Sequence, residues 1–436
     1  MREVRDKVRS FLKDNGAYYE DIDMDKLCDV FIEEMHRGLA GPGSSLAMIP
    51  TYIEAGKEIP PDKQVIVLDA GGTNFRVASV HFDRSGKPSI DNFVQKPMPG
   101  LDREVSKDEF FATVAEYMAG VVDASESIGF CFSYPTEILP NRDGRLIRFC
   151  KEVKAKEVEG ELIGRNLISA IEAAGHKGGK RIAILNDTVA TLLAGMSASG
   201  ERTFDSYIGF ILGTGSNCCY VESNREITKT SGLDLSGEQI VNVESGSFGK
   251  APRGAIDSLL DESTLDPGMY TFEKMFSGGY FGPLCLKALQ EAGRQGLLSG
   301  IAAEQLLTAT ELETKDVNSF LRSPQGDNPL ATICANAADH DGAAVWHVLD
   351  GLIERAARVV AVMLSSVVLE ADKGADPCRP VCITAEGTTF YELKSLRERV
   401  EAYMRSFLHD RHGRFVEFVH VDDATLIGAA IAGLTN

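Results

Sequence analysis

The chain has 436 residues, of which 44% are hydrophobic and 25% are charged, and its formal net charge at pH 7 is −19. This composition is typical of a globular protein with room for two or three domains of about 150 residues each. A field this negative repels nucleic acid and anionic membrane surfaces, so we expect neither as a partner. No stretch approaches the ~20 apolar residues that cross a bilayer, and the charged first segment lacks the apolar core of a signal peptide. We therefore expect a cytoplasmic protein.

The nine cysteines and eight histidines are scattered through the chain without the spacing of a metal site. An odd number of cysteines in a cytoplasmic protein predicts reduced thiols, most of them buried. Cys218 and Cys219 are adjacent, so on a strand they would face opposite sides of a sheet. His340 and His347 lie two helical turns apart, which a packed or solvated helix face explains better than a metal site.

The first half of the chain alternates helix and strand signals. The charged segment 1–16 predicts a surface helix, and apolar residues at helical spacing over 27–39 predict a second helix that ends before a Gly-Pro-Gly turn. The apolar runs 64–70 and 76–82 flank a glycine turn, which predicts strand, turn, strand. Farther along we predict a helix at 106–122, a strand at 128–135, a helix at 162–174, a strand at 181–185 and a helix at 188–196.

The second half opens with the same strand–turn–strand pattern that the first half has at 64–82. Apolar runs at 207–212 and 216–222 flank another glycine turn, again predicting strand, turn, strand. Because this unit occurs twice, at 65–80 and at 207–221, we predict two similar α/β halves facing one another across a cleft. The remaining segments predict a long helix at 343–369, a strand at 380–384, a helix at 393–407 and a closing helix at 424–434.

The first glycine turn lies in the segment LDAGGTNFRV, residues 68–77. Glycines in such a turn let backbone amides approach a phosphate closely. Asp69, at the end of the strand, has the ligand type that hydrated Mg²⁺ prefers, and Arg76 can pair with phosphate charge. A plain hairpin turn is the alternative, because the Walker A and dinucleotide-binding patterns are both absent. The second turn, at 213–216, has the same features, and two such loops favour a clamp on a polyphosphate more than either does alone.

Asn186, Asp187 and Thr188 stand between a predicted strand and a predicted helix. All three residue types are favoured at helix N-caps, which is one interpretation. The other is a carboxylate that takes a proton from a substrate hydroxyl. Glu244 and Glu273, in surroundings rich in glycine and aromatic residues, are candidate acceptors for sugar hydroxyls, although surface glutamates are common.

Taken in order, these segments resemble the hexokinase family, which includes eukaryotic-type hexokinases and glucokinases. The resemblance runs from about Phe31 to Gly433 and rests on FIEEMHRGL, LDAGGTNFRV, GFCFSYP, ILNDTVATLLAG, IGFILGTGSNCCYVE, VNVESGSFG and FEKMFSGGYFG. It implies the actin-like α/β ATPase fold, a duplicated ribonuclease H-like fold with two domains around a cleft. The small domain would comprise 64–187 plus 424–436, and the large domain 1–63 plus 188–423.

The resemblance also implies an activity: transfer of the γ-phosphate of ATP to the 6-hydroxyl of glucose or a related hexose, by a monomer or homodimer. Asp187 would be the general base, and Asp69 would hold Mg²⁺ through water. The implied sugar ligands are Ser133, Cys150, Lys151, Asn186, Asn217, Glu244 and Glu273. The implied ATP contacts are Asp69, Gly71, Gly72, Thr73, Asn74, Arg76, Gly213, Thr214, Gly215 and Gly387.

The chain departs from the family's pattern at several positions. Cys150 stands where the family has a sugar-binding threonine, and Phe149 and Ser245 each stand for a tryptophan. Glu386 replaces an aspartate of the adenosine segment, and the family's Gly-Ser-Gly-Lys-Gly stretch is ATLIG at 424–428. These changes leave open a kinase for another sugar, such as mannose, fructose or an amino sugar.

Two further alternatives come from other functional classes. A non-catalytic sugar-binding regulator could keep the same fold, but the chain retains Asp187 and the glycines of both loops. An actin- or chaperone-like ATPase would share the duplicated loops, yet it has no need for the sugar-binding segments.

Overall fold

The central strands form from unbroken apolar runs. In the computed structural model, which describes residues 2–149, 153–200, 202–338 and 340–436, the first six residues of the strand Val65–Gly71 are all buried. All six residues of Ser127–Phe132 are buried as well. Strands covered on both faces read as continuous apolar runs rather than as alternating ones, so helices are expected on both faces of the sheet.

The secondary structure consists of two mixed sheets, a small hairpin and the helices that pack on them. The strands are β1 (Ile49–Pro50), β2 (Val65–Gly71), β3 (Asn74–Phe82), β4 (Pro88–Pro97), β5 (Ser127–Phe132), β6 (Thr136–Ile138), β7 (Gly144–Leu146), β8 (Arg181–Leu185), β9 (Ser206–Leu212), β10 (Ser216–Ser223), β11 (Glu238–Asn242), β12 (Val381–Glu386) and β13 (Val416–Val419). The helices are α1 (Arg2–Asp14), α2 (Met24–Ala40), α3 (Lys107–Tyr117), α4 (Ile163–Ala173), α5 (Asp187–Ala198), α6 (Ala255–Asp261), α7 (Gly278–Arg294), α8 (Gly300–Thr308), α9 (Thr314–Arg322), α10 (Pro329–Ala335), α11 (Asp341–Glu370), α12 (Thr388–Glu392), α13 (Leu396–Met404), α14 (Asp410–His412) and α15 (Ala424–Thr435).

The two sheets repeat one topology. The first has the order β4-β3-β2-β5-β8, and the second has β11-β10-β9-β12-β13 with β1 added at its edge. In each sheet an antiparallel hairpin, β2–β3 or β9–β10, is followed by two strands that continue the sheet in parallel. The predicted duplication of the strand–turn–strand unit is therefore confirmed, and it extends over five strands of each sheet.

The hairpin turns set the register of the residues of interest. In β2–β3, Asp69 is the partner of Arg76 and Gly71 is the partner of Asn74, which leaves Gly72 and Thr73 as the two turn residues. Gly72 has φ 57°, a conformation that favours glycine at the first central position of a two-residue hairpin loop. The register thus aligns Asp69 and Arg76 on neighbouring strands below the turn.

Helices α5 and α15 lie between the two sheets. Helix α15 packs on β2, β5 and β8 of the first sheet, α5 packs on β9 and β12 of the second, and the two helices pack on each other. Their approach is close enough that a Cβ on Gly428 would lie 1.8 Å from the carbonyl oxygen of Ala190. The division into a small domain (64–187 plus 424–436) and a large domain stays a prediction.

The longest helix, α11, has 30 residues and crosses the larger hydrophobic core. Its Arg355 is 1% exposed and makes two hydrogen bonds of 2.7 Å to the carboxylate of Asp257, so the buried charge is paired. None of the described helices is long and apolar enough to cross a membrane.

The cysteines lie as the sequence predicts, whereas two helices have different bounds from those predicted. Cys218 and Cys219 lie in different apolar clusters on opposite faces of β10, as predicted, and the eight cysteines that the structure describes are all free of disulfides. The helix expected at 106–122 ends at Tyr117, and turns follow it as far as Asp123. The helix expected at 393–407 begins only at Leu396, because Leu393 is extended and Ser395 has φ 60°.

Candidate active site

Asp187 follows the buried end of β8, an edge strand of the first sheet. Strand β8 ends at Leu185, and Asn186 stays extended, with φ −75° and ψ 160°, before α5 begins at Asp187. The N-cap is Asn186: its Oδ1 accepts hydrogen bonds from Thr188 N (3.0 Å) and Thr188 Oγ1 (2.6 Å). Asp187 Oδ1 accepts the same Thr188 N–H (2.8 Å), so both side chains take part in the cap, and Asp187 remains partly exposed.

The second sheet contributes a network of polar side chains. Asn217, at the start of β10, donates to Asn242 Oδ1 at the end of β11 (2.7 Å). Asn242 Nδ2 in turn donates to Glu244 Oε1 (2.8 Å), while Asn217 Oδ1 accepts from the backbone N–H of Ser245 (3.2 Å). Glu244 has φ 57°, so its backbone occupies the left-handed region. The network fixes the directions in which the Asn217 amide and the Glu244 carboxylate point.

Electrostatic coupling joins the two sheets at this point. Removal from water raises the pKa of Glu244, and the nearby charge of Asp187 raises it further, while hydrogen bonds from Asn242 and Asn217 oppose the change. Burial likewise raises the pKa of the Cys131 thiol, with additional contributions from the charges of Asp69 and Asp187. Asp187 therefore lies within electrostatic reach of Glu244 on one side and of the Cys131–Asp69 region on the other.

A small cavity between the sheets collects several of these residues. Asn186 and Leu185 line it from the first sheet, and Asn242 and Glu244 line it from the second. Its remaining walls are apolar, aromatic or hydroxyl-bearing residues: Ile49, Thr51, Phe132, Tyr134, Thr136 and Ile138. Its volume is about 10 Å³, the space of about one water molecule, so the two sheets lie close together at this point.

Ser133 and Glu273 each contact the edge of a glycine loop. The backbone N–H of Ser133 donates to the carbonyl of Ala70 (3.2 Å), which places Ser133 beside the first loop. Glu273 Oε2 accepts from the backbone N–H of Ser216 (2.8 Å), and a Cβ on Gly215 would lie 3.0 Å from the same oxygen. Glu273 is thus packed against the second loop.

Asp69 lies beneath the first loop and is 2% exposed. Its Oδ2 is hydrogen-bonded to Arg76 and to Thr425 Oγ1 (2.9 Å), and Arg76 also donates to Thr425 Oγ1 (2.9 Å). Its Oδ1 faces the loop, 3.8 Å from where a Cβ on Gly71 would stand. Within the described ranges there is no cluster of three or more metal-ligating side chains. Such a carboxylate fits a hydrated Mg²⁺, which keeps several waters and takes only one or two protein ligands.

The exposed rim of the first loop consists of Gly71, Thr73 and Asn74. Asn74 Oδ1 accepts a hydrogen bond from the side chain of Gln95 (3.2 Å), and the carbonyl of Gly72 accepts one from Tyr134 (3.0 Å). The loop is therefore held by hydrogen bonds from Gln95 on β4 and from Tyr134, which follows β5.

The second loop is held by its carbonyl groups. Gly213 O accepts from Gly278 N (2.8 Å) and from Thr389 Oγ1 (2.9 Å), and Thr214 O accepts from Gly279 N (2.8 Å). The N-termini of α7 and α12 are in this way attached to the loop, with Thr214 exposed.

Gly387 lies directly against the same loop. It has φ 113°, and a Cβ there would lie 2.3 Å from the carbonyl oxygen of Leu212. Only glycine fits this conformation and this spacing. The neighbouring Glu386 has its pKa raised by burial, an effect that His420, 3.2 Å away, partly opposes. The structure therefore brings Gly387 together with Gly213, as the resemblance implied.

Some site residues were predicted and others were not. Cys150 and Lys151 lie outside the described residues. Asn242, Tyr134, Thr389 and Thr425 were not singled out, although each makes a side-chain hydrogen bond to a predicted site residue. The alternation Asn242-Val243-Glu244 at the end of a strand was a signal that could have paired Asn242 with Glu244, because residues two apart share a face. The sequence held no such signal for Thr425.

Comparison with known proteins identifies the family and the fold. Two family models, both described as hexokinase, match residues 10–197 and 207–435. Human Hexokinase-1 is 28% identical over 409 residues, which are 88% of this chain and 44% of that protein. Human Hexokinase-2 is 27% identical over 425 residues, or 92% of this chain and 45% of that protein. The chain thus spans less than half the length of these curated relatives.

Solved structures agree with the architecture. A hexokinase from Schistosoma mansoni complexed with glucose superposes with a TM-score of 0.82 at 25% identity, covering 100% of this chain and 99% of that one. A ROK hexokinase from Thermus thermophilus, at 20% identity and a TM-score of 0.51, shares the fold over 85% of this chain and 97% of its own. The predicted actin-like α/β fold is confirmed, and the chain belongs to the hexokinase family.

Proposed function

We propose that this protein is an ATP-dependent hexokinase that phosphorylates the 6-hydroxyl of glucose or a related hexose, with Asp187 as the general base. The observation that carries the proposal is the cavity in which Asn186, the residue before Asp187, meets Asn242 and Glu244 of the second sheet. It puts a carboxylate at the end of β8 within reach of a sugar held by the second sheet. The glucose in the Schistosoma mansoni hexokinase structure supports the choice of a hexose.

In the proposed ground state the sugar lies between the sheets. Asn186, Asn217 and Glu244 accept or donate hydrogen bonds to its hydroxyls, and Asn242 keeps the Asn217 amide and the Glu244 carboxylate in fixed directions. Polyols require several such groups, since each buried hydroxyl left without a partner weakens binding. Ser133 and Glu273 extend the same set toward the two loops.

The triphosphate binds between the two glycine loops. Backbone N–H groups and the Thr73 and Thr214 hydroxyls contact the phosphoryl oxygens, and Arg76 adds positive charge near Asp69. Asp69 would hold Mg²⁺ through water on its Oδ1 side, and the ion would neutralise phosphate charge when bound. Because the net charge is −19, these donors must offset a general repulsion of ATP.

Asp187 performs the proton chemistry in this proposal. Its carboxylate accepts the proton of the sugar hydroxyl as that oxygen attacks the γ-phosphorus in line. Asn186, which caps α5, fixes the backbone at the point where Asp187 leaves the strand. Positioning of this kind, combined with charge stabilisation, provides most of the catalysis in phosphoryl transfer.

A second candidate is a kinase for another hexose, such as mannose, fructose or an amino sugar. Ser245 adjoins Glu244 and is completely buried, and it stands where the family pattern has a tryptophan. A small side chain in place of a large aromatic one changes the wall behind Glu244, and this favours a different sugar or a bulkier substituent.

Release of ADP with a panel of hexoses tests both candidates. We expect glucose, mannose, fructose or an amino sugar to raise ATP turnover by orders of magnitude above the rate with water alone, and the best sugar identifies the substrate. A rate that no sugar changes, with every donor nucleotide tried, would leave a non-catalytic regulator or an ATPase instead.

A further inference from the structure

A groove with a volume of about 570 Å³ lies on the first sheet, away from the glycine loops. It is formed by the turn between β6 and β7, the first turns of α4 and the start of β8. Three arginines line it, Arg142, Arg165 and Arg181, together with the side chains of Asn141 and Ser169.

The arginines of this groove outnumber its acidic side chains, because Asp143 is the one acidic residue among those that line it. Among the described residues, none of the three arginines forms an ion pair, and nearby acidic residues have other cationic partners: Glu137 is paired with Arg145, and Glu126 with Lys177. A protein with a net charge of −19 has an excess of carboxylates available for surface arginines. Three guanidinium groups without ion pairs thus line one groove.

The three segments that carry the arginines are held together by a buried carboxylate. Asp143, 5% exposed, accepts hydrogen bonds from the backbone N–H groups of Gly144 (2.7 Å), Gly164 (2.6 Å) and Arg165 (3.0 Å). These bonds attach the β6–β7 turn to the first turn of α4. The groove therefore combines three guanidinium groups with the one carboxyl side chain of Asp143.

The third segment is attached by the backbone. Ile184 N donates to the carbonyl of Arg142 (2.9 Å), which joins the turn to β8. On the same strand, Arg181 donates to Ser127 Oγ (3.1 Å) at the start of β5. Hydrogen bonds therefore hold together the backbone segments that carry the three arginines, and one of them fixes the Arg181 guanidinium.

We propose that this groove is a second ligand site and that it binds a small phosphorylated molecule. A guanidinium group matches a phosphoryl group with two parallel hydrogen bonds, and three arginines with an amide and a hydroxyl can satisfy all of its oxygens. The volume is within the ~300–1,000 Å³ typical of small-ligand sites. Leu162, Ile168 and Ile182 provide an apolar surface for the body of the ligand, and Asp143 and Asn436 complete the lining.

The groove is separate from the proposed catalytic centre. Arg181 begins β8, and Asp187 follows the opposite end of that strand. Six residues in an extended chain span about 20 Å. A phosphate in the groove therefore cannot reach Asp187 or the glycine loops at the same time, and this inference does not depend on the proposed sugar kinase activity.

Binding of inorganic pyrophosphate, measured by calorimetry in low salt without Mg²⁺, tests the site. We compare the wild-type chain with the double variant Arg165→Gln/Arg181→Gln and with Arg145→Gln, an exposed arginine nearby that does not line the groove. Because charge-assisted hydrogen bonds are lost, we expect the double variant to bind pyrophosphate at least about tenfold more weakly at one site. Arg145→Gln should match the wild type, as should the melting temperatures of all three.

Amide hydrogen exchange shows where on the protein the pyrophosphate binds. Pyrophosphate should slow exchange in 139–146 and 162–169 in the wild type and not in the double variant. Identical isotherms for the wild type and the double variant would overturn the proposal, and so would protection confined to 69–76 and 213–215. Citrate is the chemical control: if it binds as tightly as pyrophosphate, the assignment to phosphoryl groups is wrong.

Discussion

The hydroxyl of Thr425 donates a 2.9 Å hydrogen bond to Oδ2 of Asp69, a residue 356 positions earlier in the chain. Arg76 contacts both, since it donates to Thr425 Oγ1 and pairs with the Asp69 carboxylate. The first turn of α15 is thereby joined to the base of the first glycine loop. Asp69 Oδ2 is occupied by these two partners, and only its Oδ1 side faces the loop.

Thr425→Val tests the importance of this bond. The substitution keeps the shape of the side chain and removes the hydroxyl, so a buried carboxylate oxygen loses a donor at a cost of about 1–3 kcal/mol. We expect a lower unfolding temperature and a higher KM for ATP, because the first loop is then less well supported. Thr425→Ser retains the hydroxyl and serves as the control; equal effects of both variants would contradict a role for the hydrogen bond.

Gly387→Ala should disrupt the second loop. At φ 113° a side chain is strained, and a Cβ would lie 2.3 Å from the carbonyl oxygen of Leu212, so the loop must move. We expect a loss of roughly 2–5 kcal/mol in stability and weaker ATP binding.

Gly413→Ala is the matched control for that variant. Gly413 also has positive φ, 62°, but nothing lies within 4 Å of a Cβ there. Only the backbone cost of about 1–2 kcal/mol remains, without an effect on ATP binding. Similar KM values for ATP in the two variants would show that ATP binding does not depend on the contact of Gly387 with the second loop.

Asn242→Ala should weaken sugar binding more than it slows the chemical step. Asn242 is 4% exposed and bridges Asn217 and Glu244, so its removal takes one hydrogen bond from each of these side chains. We expect KM for the hexose to rise about tenfold, the effect of ~1.4 kcal/mol, with a smaller change in kcat. Steady-state kinetics measures both constants, and exposed Asn336→Ala is the control. A fall in kcat with an unchanged KM would contradict an orienting role.

The pKa of the Glu34 carboxyl determines part of the pH dependence of the free energy of unfolding. Its burial alone would raise the pKa, but donors from Ser45, Lys250 and Ser44 outweigh that effect and lower the pKa to about 2 from an ordinary 4.5. A carboxyl with a depressed folded-state pKa stabilises the protein above its unfolded pKa, and the contribution is lost as pH falls through 4.5 toward 2. At pH 7 it amounts to about 3 kcal/mol.

The corresponding experiment compares urea midpoints of the wild type and Glu34→Gln at several pH values. The difference between the two urea midpoints should be largest at pH 7 and should decrease steadily below pH 4.5. The exposed neighbour Glu33→Gln should show little difference from the wild type throughout. A gap that is constant with pH would mean that the charge of Glu34 contributes nothing.

Much of the fold could be predicted from the sequence because its strongest signals are local. The run at 64–70 and the glycine turn after it specify a buried strand and a tight hairpin by composition alone. The repetition of that unit at 207–221 specified the duplicated sheet. Boundaries were less certain where one residue changes the backbone, as at Ser395, whose φ of 60° delays the start of α13.

The site was predictable only where residues lie near one another in sequence or match a family pattern. The resemblance implies that Gly387 and Gly213 both contact ATP, and the structure places their backbones in close contact. The hydrogen bond from Thr425 to Asp69 could not be predicted, since it depends on how α15 packs between the sheets. The arginine groove was equally hidden, because its three arginines come from three separate elements.

In the proposed reaction the carboxylate of Asp187 removes the proton from the sugar hydroxyl. Asp187→Asn keeps the size of the side chain and removes its basicity, and Asp62→Asn, at an exposed turn, makes the same chemical change elsewhere. The decisive measurement is kcat for hexose-dependent ADP release, together with the Kd for the hexose by calorimetry. We predict that Asp187→Asn lowers kcat at least ~100-fold while the hexose Kd changes little, and that Asp62→Asn behaves as the wild type. Turnover by Asp187→Asn at more than a few per cent of the wild-type rate would contradict the account.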